Sequence, residues 1–245
     1  MTDMSVKIGH ASIDERGKGR DGRAGDQSGR EVCVREWYPK GWTVNLRPKS
    51  VIIAEKSATA CEKICANKNV GYDMDQRNTL HTQAKSVGYD LSKIDKPCET
   101  DCSALMTLCA IAAGVTSLEY TGNAPTTSTM RRSFAASGAY EALTDSKYLT
   151  TDAYLRRGDI LVAEGHHTVM VLEDGQKVSE NQSYYPAYIG KSDSLVDALS
   201  MMKIDSSKKN RAKIAAKNGI MGYTGSASQN IKLLSLLKNG KLKKG

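Results

Sequence analysis

Long apolar runs are missing from this sequence. No stretch approaches the roughly 20 apolar residues that a membrane-spanning helix needs. The N-terminus also lacks an apolar segment of the kind that makes a signal peptide. We therefore expect a protein that is made and folded in a cytoplasm and has no membrane partner. Any action outside the cell would then follow its release by another agent.

Cysteine and histidine are both scarce, with six and four residues among 245. A chain without a secretion signal is expected to keep its cysteines as reduced thiols. So few cysteines in a chain of this length do not indicate a disulfide framework, which leaves packing, metal binding or catalysis as their roles. The six positions are Cys33, Cys61, Cys65, Cys98, Cys102 and Cys109.

Aromatic residues are nearly absent from the C-terminal segment 191–245, where Tyr223 stands alone. The same segment holds twelve Lys or Arg residues against three Asp residues, a net charge of +9 that leaves −1 for residues 1–190. A basic segment joined to a near-neutral one predicts an anionic partner. Because base stacking needs aromatic side chains, their absence disfavours nucleic acid as that partner.

Hydrophobic periodicity predicts an α+β fold, in which helices pack on a run of antiparallel strands. Residues 31–37 and 43–47 alternate like strands, and Ser50 can cap a helix that runs to about residue 69. Residues 9–30 and 115–150 are rich in loop-forming residues and are interpreted mostly as loop.

Three consecutive strands are predicted in the second half of this region, at residues 158–165, 167–175 and 176–182. Asp174-Gly175 is a strong signal for a two-residue hairpin turn between the last two. The tail differs, because residues 194–204, 210–220 and 228–240 each carry apolar residues at helical spacing. We therefore predict one domain over residues 1–190 and a small helical domain over 191–245.

The most informative segment is an apolar helix that begins at Cys102, after Asp101, and ends at Gly114. A thiol at a helix N-terminus feels the positive end of the helix dipole, which favours the reactive thiolate. The unpaired backbone N–H groups of the first turn can also hold an oxyanion. Cys102 is therefore a candidate nucleophile, against the alternative that it is a small apolar core residue.

A four-cysteine zinc site is the main alternative use of the thiols, because Cys61-x3-Cys65 and Cys98-x3-Cys102 have spacings that structural zinc accepts. The first pair falls inside a predicted helix, without the glycine-bearing turns of zinc knuckles, so we expect no metal. Residues 17–22 match G-x-G-x-x-G, but no apolar strand precedes them and no apolar helix follows, so we expect no nucleotide cofactor.

A nucleophilic thiol needs a base, and the four histidines offer few choices. His10 lies in the loop-rich N-terminus and His81 in a polar helical stretch. His166 and His167 open a predicted strand, and a polar stretch, Glu180-Asn181-Gln182, follows on the next one. The pair at 166–167 is therefore the predicted source of the base.

Four segments together resemble the NlpC-type papain-like wall peptidases, the related CHAP amidases and the phage lysins built on both. They are GYDMDQRNTL (71–80), DCSALM (101–106), RRGDILV (156–162) and HTVMVLEDG (167–175). The resemblance covers roughly residues 65–185 and implies a papain-like core. It departs from the usual D-C-S-G or D-C-S-S pattern at Ala104.

The resemblance assigns roles to single residues. Cys102 matches the nucleophile, His167 the base, and Glu180 the polar residue that orients the base. Gln182 and Asn181 are the alternatives for this third role. Candidate substrate-binding residues in the matching segments are Tyr72, Asp73 and Asp101.

The tail is similar to small wall-binding modules at the C-termini of lysins from phages of Gram-positive hosts, on the segments 210–220 and 223–242. The resemblances together imply a peptidoglycan hydrolase that cuts an amide bond of the stem peptide, as an endopeptidase or alternatively as an N-acetylmuramoyl-L-alanine amidase. Peptidoglycan and anionic wall polymers are the expected partners. More distant alternatives are a transferase or protein deamidase with the same residues, and a nucleic-acid-binding or zinc-binding protein without activity.

Strand register favours His167 over His166 as the base. With a two-residue turn at Asp174-Gly175, His167 shares a strand face with Val169 and Val171, and Gln182 and Glu180 lie opposite on the next strand. We expect this valine-rich face to pack on the helix that carries Cys102. A shift of register by one residue would bring Asn181 to the third position instead.

Overall fold

The computed structural model describes residues 5–178 and 184–245. Contacts between residues divide the chain into two units, residues 1–176 and 177–245. The first unit combines α-helices with a mostly antiparallel arrangement of strands, so the predicted α+β class is confirmed. Within the described residues, no helix has the length and apolarity needed to cross a membrane.

The first unit contains eight strands and four α-helices in its described part. The strands are β1 (Lys7–Ala11), β2 (Val32–Glu36), β3 (Val44–Pro48), β4 (Val70–Tyr72), β5 (Cys98–Thr100), β6 (Tyr140–Leu143), β7 (Ile160–Ala163) and β8 (His167–Val171). The helices are α1 (Val51–Cys65), α2 (Thr79–Ser86), α3 (Cys102–Ala112) and α4 (Met130–Ala136).

Six strands form one antiparallel sheet in the order β2-β1-β8-β7-β3-β6, and β4 and β5 form a separate parallel pair. The N-terminal strand β1 therefore lies in the interior of the sheet, beside β8. Its pairing with β8 consists of Ile8 opposite Val171 and Gly9 opposite Met170. Beyond these pairs, the two strands carry His10 and His167.

The two faces of the sheet have separate cores. One face packs on α1 and α3 and includes Leu46, Val162 and Met170. The other face carries Ile8, Val169 and Val171 under Trp42 and Leu155. Glycine is needed at position 9, because a Cβ there would collide with the Cys61 sulfur of α1.

The predicted hairpin after β8 is wrong. Residues 176–178 are helical, and neither Asp174 nor Gly175 has the positive φ that a type I′ turn needs. Gly175 instead lies so close to the backbone of Asp152 and Ala153 that a Cβ would overlap it. The rest of the predicted strand, residues 179–182, falls outside the described residues.

Two segments interpreted as loop contain regular structure. β1 occupies residues 7–11, and the region 115–150 contains α4 and β6. The alternation of Val6, Ile8 and His10 on one face is the local signal for β1. β1 pairs with β2 on one side and with β8, which lies far along the chain, on the other. These pairings satisfy the hydrogen-bonding groups of its backbone.

A buried ion pair joins β3 to the start of β7. Arg47 donates from Nε and Nη2 to Asp159 at 2.8 and 2.6 Å, and Asn45 donates to the same carboxylate at 2.7 Å. Such a bidentate pair fixes geometry, and removing one partner would leave a buried charge. The aspartate of RRGDILV, which is fully buried, therefore has a structural role.

The second unit contains three described helices, α5 (Leu195–Met201), α6 (Lys208–Lys217) and α7 (Ala227–Lys238), around a leucine-rich core. Ser226 caps α7 in a reciprocal capping box with Gln229. Arg211 on α6 donates at 2.7 Å to the hydroxyl of Tyr223, which lies before α7. Helical spacing in the sequence thus predicted these helices correctly.

Candidate active site

Asp101 fixes the start of α3. Its Oδ1 accepts a hydrogen bond from the Ala104 backbone N–H at 2.7 Å, the standard contact of an N-cap aspartate. Arg77 lies with its Nε 2.7 Å from Asp101 Oδ2 and donates from Nη2 to Ser103 at 2.7 Å. The carboxylate is therefore occupied by protein contacts at the point where the chain delivers Cys102.

Cys102 is the first residue of α3, and its side chain is 7% exposed. Burial raises the pKa of its thiol to about 12, and the charge of Asp101 acts in the same direction. The backbone N–H groups of Thr168 and Ser103 lower the pKa by hydrogen bonding to the sulfur. The sulfur thus lies beside the first peptide group of β8, the one between His167 and Thr168.

His167 begins β8 and is 9% exposed. Its ring stacks on Trp42, with ring centroids 6.3 Å apart. The pKa of His167 is lowered to about 4, chiefly by burial and also by the charges of Lys40 and Arg35, against an opposing effect of Asp101. The imidazole is therefore neutral at neutral pH, the form that can accept a proton.

His10 on β1 is the neighbour of His167 that the sequence did not reveal. The two rings lie edge to face with centroids 5.8 Å apart, and His10 is 2% exposed. The pKa of His10 is lowered to about 4, chiefly by burial and to a smaller extent by the charges of His167 and Arg35. Nδ1 of His10 and Nε2 of His167 are buried and make no hydrogen bond to a described residue.

The described contacts of His10 and His167 do not include the residues predicted to orient the base. Glu180, Asn181 and Gln182 all lie outside the described residues. In the described sheet the strands beside β8 are β7 and β1, so the histidine that borders His167 comes from the N-terminal strand. The alternation that includes His10 was the signal available in the sequence, but it gave no hint that β1 pairs with β8.

The expected packing of the valine-rich face is wrong. Val169 and Val171 lie on the face covered by Trp42, whereas Met170 packs with α3. The prediction failed because it assumed a hairpin partner and a single core, while this sheet is covered on both faces. The contact of Cys102 with β8 is made to the backbone N–H of Thr168 and does not involve the side chains of Val169 and Val171.

The other predicted site residues have different surroundings. Tyr72 is 6% exposed, and the charge of a Cys102 thiolate raises the pKa of its phenol, an effect second to burial. Asp73 accepts from the backbone N–H groups of Gly22, Asp75 and Gln76, so its carboxylate stabilises a loop. Of the three candidate substrate-binding residues, Tyr72 alone brings a side chain with no described hydrogen bond close to the thiol.

The remaining histidines lie elsewhere. His166 is exposed in the turn between β7 and β8, where its N–H donates to Ala163. His81 is on α2 and stacks on Tyr120 with ring centroids 4.2 Å apart. His10 and His167 are therefore the two histidines that the described sheet brings together.

The cysteine thiols form no candidate metal site among the described residues. All six cysteines are free. Among residues 5–178 and 184–245, no group of three or more His, Cys, Asp or Glu is arranged to hold a metal ion. Cys61, Cys65 and Cys109 are buried in the packing between α1, α3 and β1.

The arrangement has the parts that acyl transfer requires. The Cys102 thiol lies at a helix N-terminus, beside backbone N–H donors. One of these donors belongs to the peptide group that follows His167, whose imidazole is neutral. A neutral imidazole can take the thiol proton during attack, and the first-turn N–H groups can stabilise the oxyanion.

Comparisons with known proteins point to phage lysins. A sequence model of the endolysin-like domain family matches residues 8–178, well over half of the chain. The chain is also 51% identical over 47 residues to the L-alanyl-D-glutamate peptidase of Listeria phage A118, covering 19% of this chain and 17% of that protein. No solved structure matches it significantly.

A second phage protein gives a match of the same extent. The endolysin of Listeria phage A511 is 52% identical over 46 residues, which is 19% of this chain and 14% of that protein. The chain thus spans less than a fifth of the length of either relative. These short matches describe a shared segment, whereas the family match covers the sheet and α3.

The buried neutral histidines predict a specific dependence of stability on pH. Unfolded histidines titrate near 6.5, whereas His10 and His167 in the folded protein titrate near 4, so the unfolded chain binds more protons between these values. The free energy of unfolding should therefore be highest above about pH 6.5 and should fall as the pH drops towards 4. Urea titrations at pH 7, 6 and 5 would measure this.

The matched comparison is the double variant His10→Asn/His167→Asn. It should lose less stability between pH 7 and 5 than the wild type. An equal loss in both proteins would show that the two histidines are not buried in the neutral form.

Proposed function

The chain belongs to the endolysin-like domain family, and from this premise we propose that it is a peptidoglycan hydrolase that cleaves an amide bond by Cys-His catalysis. The single observation that supports the mechanism best is the position of Cys102, at the start of α3 and beside the peptide group of His167. We assign the nucleophile to Cys102 and the base to His167.

The proposed reaction passes through a thioester. His167 takes the thiol proton while the sulfur attacks an amide carbonyl, and backbone N–H groups at the start of α3 hold the oxyanion. The carbon–nitrogen bond then breaks as His167 protonates the leaving amine. Water hydrolyses the thioester, which releases a carboxylate and restores the thiol. No cofactor takes part in these steps.

We propose that the bond cut lies within the stem peptide. The name of the relative from phage A118, an L-alanyl-D-glutamate peptidase, favours an endopeptidase. The muramoyl–alanine amide is the alternative target, because the same thiol chemistry cleaves either amide. The papain-like core implied by the NlpC and CHAP resemblance is part of this proposal, as is action on the wall after release.

His10 is proposed as the positioning residue in place of the polar stretch at 180–182. Its ring lies against that of His167 in a site closed by Tyr38 and Trp42. Nδ1 of His10 and Nε2 of His167 are both buried without a hydrogen-bond partner among the described residues. A third group that holds the base in one orientation is the usual partner of a Cys-His pair.

Residues 191–245 are proposed as the wall-binding module, with anionic wall polymers as the ligand. In the second unit, a cavity of about 820 Å³ is lined by Lys217, Lys241 and Lys243 together with Tyr184. None of these lysines makes an ion pair with a described residue. Their charge is therefore free to attract phosphate groups of a polymer.

Replacement of Cys102 by Ser should reduce wall hydrolysis by about a thousandfold or more, because the nucleophile is lost while side-chain volume barely changes. Clearing of purified Gram-positive walls would be followed by turbidity, and mass spectrometry of the fragments would identify the bond. Cys109→Ser, on the same helix but in the core, is the matched control and should stay active. A Cys102→Ser variant that clears walls at the wild-type rate would refute the mechanism.

Replacement of His10 by Gln should lower kcat about tenfold to a hundredfold with little change in KM, because misorientation of the base affects the chemical step. The acid limb of the kcat profile should also move to higher pH, since loss of the His10 ring admits water to His167 and weakens its desolvation. His10→Asn should retain more activity than His10→Ala. His81→Gln is the control, and an unchanged pH profile in His10→Gln would assign His10 a purely structural role.

The triple variant Lys217→Gln/Lys241→Gln/Lys243→Gln should sediment less with purified walls than the wild type, and added salt should weaken wild-type binding. A matched triple variant at Lys208, Lys209 and Lys232, which are exposed outside the cavity, should bind better than the first. Equal binding by the two triple variants would locate the wall contact elsewhere.

A further inference from the structure

A cavity of about 760 Å³ lies against the edge of the sheet formed by β1 and β2. His10, Cys33 and Arg35 from these strands line it, together with Arg16, Ser28 and Arg30 from the loop 12–31. His10 is thus both a lining residue of this cavity and the ring neighbour of His167. The cavity is therefore linked to the candidate base through His10, while His167 and Cys102 themselves do not line it.

Strand register fixes which side chains share this side of the sheet. His10 pairs with Cys33 and Ile8 pairs with Arg35, so these four residues lie on one face. The pairing of Ile8 with Val171 extends the same face to His167. Arg35 is therefore on the face of the two histidines, two residues along β2 from the partner of His10.

Aromatic contacts continue from the guanidinium to the imidazoles. Arg35 Cζ lies 4.7 Å from the centroid of the Tyr38 ring, and Tyr38 lies 6.4 Å from the His10 ring. The guanidinium thus lies over the Tyr38 ring in a cation–π contact, which arginine makes more often than lysine. The positive charge of Arg35 also lowers the pKa of both histidines.

The arginines of the cavity differ in their pairing. Arg16 is neutralised by Asp14 at 2.6 Å and lies 3.8 Å from Glu15. Arg30 and Arg35 are exposed and make no ion pair with a described residue. Asp14 and Glu15 also line the cavity, so its charged lining residues are three arginines and two carboxylates. Arg30 and Arg35 are the guanidinium groups of this lining that have no ion-pair partner among the described residues, and a guanidinium can bind a carboxylate in bidentate fashion.

We propose that this cavity is a substrate subsite in which Arg35, assisted by Arg30, binds a free carboxylate of the peptide stem while a neighbouring amide bond lies at Cys102. The inference rests on the proposed function. Stem peptides carry carboxylates close to their amide bonds, and some walls carry the same groups as primary amides. The subsite therefore makes the enzyme selective for the free acid.

The experiment uses two synthetic stem peptides that differ only at one group, a free carboxylate or its primary amide. Wild-type protein should cleave the acid with the higher kcat/KM. Arg35→Gln should lower kcat/KM for the acid about tenfold or more and leave the amide within about twofold, because the lost hydrogen bonds are to a charged group. For the acid, the kcat/KM of Arg35→Lys should fall between those of the wild type and Arg35→Gln. Arg30→Gln should lower it less than Arg35→Gln does.

Arg132→Gln removes the same charge from an exposed position on α4 and should leave both substrates unaffected. The comparison of acid with amide matters because Arg35 also influences the histidines, an effect that would change both substrates equally. Equal losses on the two peptides, or no loss on either, would overturn the subsite.

Binding separates this inference from the proposed reaction. In the Cys102→Ser background, the Kd of the acid should be at least about tenfold lower than the Kd of the amide. Arg35→Gln should abolish this difference. Selective binding without any cleavage by the wild type would keep the subsite and refute the hydrolase. Cleavage of both peptides without selective binding would keep the hydrolase and refute the subsite.

Discussion

The carboxylate of Asp101 is the contact on which the candidate site depends. It caps α3 through the Ala104 N–H and pairs with Arg77, whose guanidinium also donates to the carbonyls of Ala124 and Pro125. One buried network therefore sets where the helix begins and anchors the loop beside it. Since removal of either charge would leave the other buried and unpaired, the position of Cys102 is tied to the stability of this region.

The order of strands gives the site its composition. Because β1 pairs with β8, His10 from the N-terminal strand and Trp42 both contact the ring of His167. His10 reaches His167 from the neighbouring strand, and β2 then brings Arg35 to the same face. The candidate base and the proposed selectivity residue thus share one sheet face, whereas Cys102 comes from α3, which packs on the other face.

Burial determines the resting charge of the site. It raises the pKa of the Cys102 thiol and lowers that of His167, so both groups are neutral near pH 7. The helix N-terminus alone would favour a thiolate, but desolvation outweighs it here. The proton must then move as substrate binds, which makes the orientation of the imidazole more important than a preformed ion pair.

Local pattern in the sequence determined the helix that opens at Cys102, the strand that opens at His167, and the three helices of the basic tail, because capping, apolar spacing and charge act over a few residues. Pairing between distant strands was decided by the tertiary structure alone. It moved His10 from an apparent loop into the sheet interior, and it turned Val169 away from α3. The hairpin expected at Asp174-Gly175 is absent because another tertiary contact, the packing of Gly175 against the backbone of Asp152, takes its place. Contacts between residues more than a hundred positions apart depend on the whole core, and no short-range pattern encodes them.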